Sequence, residues 1–87
     1  MSWTIRFDEH AAKQIRKLDK ETARRILTYL EEVSTLEDPT TRGAGLFRNL
    51  SGLWKYRVGD YRVICDIQME SISVLVVEVG HRSDVYS

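Results

Sequence analysis

Three cations, Lys55, Arg57 and Arg62, bracket a Gly59-Asp60 pair within the stretch Trp54 to Ile67, W-K-Y-R-V-G-D-Y-R-V-I-C-D-I. Three more chemically capable residues, His81, Arg82 and Tyr86, fall close together in the closing G-H-R-S-D-V-Y-S. Arginine and lysine hold phosphate and stabilise the charge that builds on a phosphoryl group in its transition state. Histidine titrates near neutral pH and can move protons, and tyrosine can stack on a base or donate a proton. Such a set is sufficient for RNA cleavage without metal, with the ribose 2′-hydroxyl as nucleophile. The same residues also fit a solvated basic face followed by an ordinary tail, and residue types alone leave both readings open.

The element that must position the three cations is a β-hairpin. Residues alternate up to Gly59-Asp60 and alternate again beyond it, and glycine at the first central position suits a type II′ two-residue turn. Val58 then opposes Tyr61, Arg57 faces Arg62, Tyr56 faces Val63 and Lys55 faces Ile64. With a side-chain period of two, Trp54, Tyr56, Val58, Tyr61, Val63, Cys65 and Ile67 share one face, and Lys55, Arg57 and Arg62 share the other. Like charges directly opposite each other cost a few tenths of a kcal/mol up to about 1 kcal/mol. An anion from outside, phosphate above all, is the simplest reason to keep three cations there.

Before the hairpin, Ser2 to Phe7 alternates as a short strand. Asp8 caps a helix carrying Ala11, Ala12, Ile15 and Leu18, and Asp19 caps a second with Ala23, Ile26, Leu27, Leu30 and Val33 on one stripe. The short link makes residues 9 to about 36 a helical hairpin, with Lys20, Arg24, Arg25, Glu31 and Glu32 as solvated charges. Pro39 closes the helical region because Asp38 before it is pushed to extended geometry. A polar connection, Thr40 to Gly45, leads to a brief extended segment over Leu46 to Leu50. After the hairpin, a turn at Gln68 to Ser71 precedes the apolar run Ile72 to Val79, which reads as an interior strand. With Met69 and Glu70 as the turn, strict alternation puts His81 on the face of Arg62. It also leaves Ile64, Leu75, Val77 and Val79 as an outward apolar strip, which calls for a partner segment. The architecture expected is α+β: a helical hairpin on one face of a twisted, mostly antiparallel four-stranded sheet in the order β-α-α-β-β-β.

Eighty-seven residues, 43% hydrophobic and 30% charged, make one small domain over residues 1–87. No apolar run approaches the roughly 20 residues that span a bilayer, and no leader pattern opens the chain. The net charge of +0 gives no bulk basicity, so nucleic-acid binding must rest on local clustering. The single cysteine, Cys65, belongs to the apolar face and reads as an inert core residue in a reducing cytoplasm. His10 opens a helix as a surface residue. Two distant histidines and one buried cysteine give no transition-metal site, and no cofactor is expected; metalloprotease, phosphate-loop and serine-hydrolase motifs are absent.

A strand, two helices, then L-x-G-L-W-K-Y-R-V-G-D-Y-R-V and finally V-G-H-R-S-D-V-Y resemble the RelE/ParE superfamily of toxins from bacterial toxin–antitoxin pairs. The likeness covers nearly the whole chain, with both motifs in the expected order. It implies a RelE-like fold and, for the RelE branch, cleavage of messenger RNA in the ribosomal A site. By the same resemblance Lys55 matches the strand cation that acts as, or supports, the general base. Arg57, Arg62 and Arg82 match residues that steady the pentacovalent phosphate or assist the leaving oxygen, and Tyr86 matches the tyrosine that orients a base. His81 stands where other members carry lysine or histidine, so the base falls to Lys55 or His81. Many relatives continue into a C-terminal helix, whereas this chain ends one residue after Tyr86, which leaves that tyrosine loosely held. The implied partners are a RelB-like antitoxin, the ribosome and mRNA, with operator DNA reached through the toxin–antitoxin complex and no membrane involved. ParE-type action on gyrase and a purely antitoxin-binding module are the other outcomes the superfamily allows.

Overall fold

A computed structural model describes residues 2–46 and 52–83. The chain opens with β1 (Thr4–Phe7), then α1 (Glu9–Arg16) and α2 (Lys20–Ser34). A single 3-10 turn (Pro39–Thr41) leads to β2 (Ala44–Gly45), β3 (Trp54–Val58), β4 (Tyr61–Gln68) and β5 (Ser73–His81). The two expected caps start the helices: Asp8 accepts from the Ala11 N–H at 2.8 Å and Asp19 from the Thr22 N–H at 3.2 Å. α2 stops at Ser34, ahead of Pro39, and Asp38 is extended (φ −133°, ψ 110°) with its carboxylate on the Thr40 N–H at 2.9 Å. The extended segment expected over Leu46 to Leu50 lies largely outside the described residues.

The sheet among the described residues has five strands in the order β1-β5-β4-β3-β2, one more than expected because Ala44–Gly45 pairs with the edge of β3. All neighbours are antiparallel except β1 and β5. β1 precedes the helices and returns to the sheet beside the last strand, so this pair runs parallel, as a crossover connection requires. The core lies between the helices and one sheet face. Ala11, Ile26, Leu30 and Val33 meet Tyr56, Val63, Cys65, Val74, Val76 and Val79. Tyr56 is fully buried, and its hydroxyl donates to the Pro39 carbonyl at 2.7 Å. That bond satisfies the phenol inside the core, where an unpaired hydroxyl would be costly.

The hairpin register is the expected one in every pair, from Val58 with Tyr61 to Lys55 with Ile64. Gly59 has φ +60° and no positive φ occurs at Asp60, which is the type II′ arrangement. The last strand departs from expectation. Cys65 pairs with Val76 and Ile64 with Glu78, so Val77 is an extra residue, a β-bulge. Upstream of it Val74 and Val76 face the helices. Downstream the parity flips: Val79 pairs with Val63 in the core, and His81 pairs with Tyr61. His81 therefore lies on the helix side of the sheet, not on the face of Arg62. The outward apolar strip shrinks for the same reason. Val79 is 2% exposed in the core, Ile64 keeps its outward place but is only 4% exposed, and Leu75 and Val77 are half-buried.

Candidate active site on the outer sheet face

The face turned away from the helices carries the cations in two rows. One row runs Lys55, Ile64, Glu78 and the next runs Arg57, Arg62, Gly80 across β3, β4 and β5. In a two-residue hairpin the pair flanking the turn exchanges the ladder hydrogen bonds. Arg57 and Arg62 then form a non-hydrogen-bonded pair, with Cα atoms about 4.5 Å apart and side chains close together. Lys55 stands about 7 Å along the strand from Arg57 on the same side. Gly80, beside Arg62, adds no side chain, so the row is open toward β5.

Among the described residues no carboxylate lies within 4 Å of Lys55, Arg57, Arg62 or Arg82. Glu78 shares the row of Lys55 but turns to His10, 3.7 Å away on α1. Arg57 is exposed and Lys55 and Arg62 are half-buried, so the alkyl stems rest on the sheet while the charges remain accessible. By composition and by geometry this surface can hold an anion.

Beyond β5 the chain stays tied to the hairpin. The Arg82 N–H donates to the Asp60 carbonyl at 2.8 Å, which extends the ladder past the turn. β5 ends at His81, and Arg82 opens the turn that follows it. Three of the six sequence-derived residues, Lys55, Arg57 and Arg62, share one face, and Arg82 follows in a turn tied to the hairpin by its backbone. Tyr86 lies outside the described residues.

His81 is on the reverse side, where its ring meets Tyr61 edge-on (centroids 5.6 Å apart, 86° between planes). It borders a cavity of about 220 Å³ that Arg25, Ile26, Val58 and Asp60 also line. Its Nδ1 accepts from the Ser83 N–H at 3.3 Å and lies 2.9 Å from the Ser83 hydroxyl. Two contributors escaped the sequence reading: the Asp60 carbonyl, which anchors Arg82, and Gln14, whose side-chain oxygen takes the Val79 N–H at 2.6 Å where β1 has ended. A backbone acceptor leaves no mark in residue type. Gln14 had a faint one, a polar residue beside the apolar stripe of α1.

Cys65 is fully buried, and burial pushes its thiol up to about 12, the condition of an inert core thiol. His10 is exposed, as expected of a surface residue.

A family model described as ParE toxin of type II toxin-antitoxin system, parDE, matches residues 5–86. The chain is 33% identical over 89 residues to Toxin RelG of Mycobacterium tuberculosis, covering 99% of this chain and 98% of that protein. It is also 33% identical over 91 residues to the mRNA interferase toxin RelE of Escherichia coli, covering 100% and 93%. Among solved structures, the toxin–antitoxin complex RelBE2 from Mycobacterium tuberculosis superposes with a TM-score of 0.85 at 28% identity, over 97% of this chain and 95% of that one.

Proposed function

The chain belongs to the ParE toxin family of type II toxin–antitoxin systems, and from that premise we propose that it is a ribosome-dependent endoribonuclease. It cuts messenger RNA in the A site without metal and is silenced by a RelB-like antitoxin. The observation that carries this reading is the Arg57–Arg62 pair on the accessible sheet face, flanked by Lys55 and unmatched by any carboxylate among the described residues. Relatives named mRNA interferase support the same branch.

In the proposed reaction the ribose 2′-oxygen attacks the adjacent phosphorus, and Lys55 takes up or steers the hydroxyl proton. Arg57 and Arg62 hold the non-bridging oxygens of the pentacovalent phosphate as their charge grows. The bond to the 5′-oxygen breaks, and that oxygen takes a proton from water, with Arg82 close to the developing charge. The products are a 2′,3′-cyclic phosphate and a free 5′-hydroxyl. Tyr86 stacks on a neighbouring base. The protein works in the cytoplasm, and operator DNA is reached through the antitoxin complex.

The test is to add the purified toxin to translating ribosomes and map mRNA ends. Breaks within the A-site codon that end in a cyclic phosphate are expected. Intact mRNA together with gyrase-dependent DNA breaks would assign the chain to the ParE type of action instead. Neither product would leave the antitoxin-binding role.

A further inference from the structure

We infer that His81 is a positioning residue for Arg82: its Nδ1 captures the Ser83 N–H and so sets the course of the chain as it leaves the sheet. This rests on the ribonuclease reading for its consequence, but not for its geometry. Arg82 lies between two tethers. Its own N–H is held by the Asp60 carbonyl at 2.8 Å, and the next N–H is held by His81 at 3.3 Å. The ring is held in turn by Tyr61, its partner across the β4–β5 ladder, which meets it edge-on at 5.6 Å.

The tether decides the proton as well. A backbone N–H can only donate, so Nδ1 must be the acceptor, and the neutral ring carries its hydrogen on Nε2. A general acid starts from the imidazolium, which bears N–H at both nitrogens and cannot accept at either. Each proton transfer through His81 would therefore break the bond that holds the Ser83 N–H. With the ring on the face opposite Arg57 and Arg62, His81 holds the arginine and Lys55 is left to serve the 2′-hydroxyl.

Two substitutions separate the roles. In His81→Asn the side-chain oxygen stands where Nδ1 stood, and asparagine readily bonds the backbone N–H two residues on. In His81→Gln the oxygen falls one bond further, near Nε2. Neither side chain can act as an acid or base near neutral pH. Messenger cleavage on translating ribosomes and hydrogen exchange at the Ser83 amide of the purified toxin are measured for wild type and both variants.

For a positioning residue, H81N keeps cleavage within about threefold of wild type and keeps Ser83 protected, whereas H81Q loses about tenfold or more and exposes Ser83. A loss of about a hundredfold or more in both variants, with Ser83 still protected, assigns His81 to proton transfer and overturns the inference. Unchanged activity in both overturns it as well. If the wild type fails to cleave while Ser83 is protected in H81N and exposed in H81Q, the ribonuclease reading falls and the tether stands.

Discussion

Arg57 and Arg62 face each other directly across the β3–β4 ladder, on the side of the sheet that the helices leave bare. Two guanidinium groups in that position repel, and neither has a carboxylate within 4 Å among the described residues. The pair is a standing cost of up to about 1 kcal/mol in the free protein, relieved when an anion sits between the two charges.

Arg62→Ala should accordingly separate stability from function. Losing one of two opposed cations relieves repulsion, while the half-buried alkyl stem gives up a little packing. The melting temperature should hold or rise slightly, and cleavage should fall by about 10² to 10³. Thermal melts alongside ribosome cleavage check this. A drop of about 4–8 °C or more, equivalent to about 1 kcal/mol in a domain of this size, would make Arg62 structural.

Lys55→Ala and Arg57→Ala should weaken RNA binding across sequences, since both cations face phosphate. The slope of log K against log salt should flatten by about 0.7 for each phosphate contact removed from a single strand. Titrations of single-stranded oligonucleotides of several sequences at three or more salt concentrations give that slope. A loss limited to certain sequences at an unchanged slope would point to base contacts.

Alkaline pH should destabilise the fold through Cys65. Its thiol is raised from an ordinary value of 9.0 to about 12 by burial, so the folded state keeps the proton after the unfolded chain has released it. The unfolded state then binds fewer protons, and stability falls with rising pH at up to about 1.4 kcal/mol per unit between the two values. Stability from this group is complete below pH 9 and lost on the way to 12. Denaturant melts from pH 8 to 11 should show the decline. Cys65→Ala should lower stability throughout yet make the decline shallower, with Tyr56, also raised by burial, responsible for the remainder.

Gly43 has φ +79°, and a Cβ there would strike the Lys55 carbonyl and come within 2.6 Å of the Trp54 indole nitrogen. That nitrogen already donates to the Arg42 carbonyl at 2.7 Å. Gly43→Ala should cost at least about 1–3 kcal/mol from backbone strain alone and shift the strand that carries Lys55. A lower melting temperature together with reduced cleavage is the expected result. An unchanged melting temperature would mean that this corner yields easily.

The antitoxin should meet the cationic face with an acidic segment that orders as it binds. Rising salt should slow association more than it speeds release, because the long-range field acts on the encounter. Hydrogen exchange with the partner present should protect β5 and the residues after it. Protection confined to the exposed charges Arg24 and Arg25 on α2 would assign inhibition to another surface.

The hairpin was legible in the sequence because a two-residue glycine turn leaves one register open, and every pair from Val58–Tyr61 to Lys55–Ile64 follows from it. The caps were legible because aspartate ahead of an apolar period has few other uses. The far end of β5 was not. In V-L-V-V-E-V-G, counting forward from Val74 turns Val76 inward and Val77 outward, whereas counting back from outward Glu78 turns Val77 inward. Only a bulge reconciles the two counts, and adjacent valines at 76 and 77 conceal it. That one residue moved Val79 into the core and His81 away from Arg62. The fifth strand was missed because two residues, Ala44 and Gly45, are too few to show an alternation.

Because Val77 is unpaired, the two halves of β5 are geared separately. Removing that residue would close the ladder into unbroken alternation, with the Phe7–Val76, Cys65–Val76 and Ile64–Glu78 pairings as they are. His81 would stay opposite Tyr61 and Val79 opposite Val63; only pairing Val77 in place of Glu78, with the chain length kept, would turn His81 to the side of Arg62. The bulge thus absorbs one residue of chain length without changing which side chains face the phosphate.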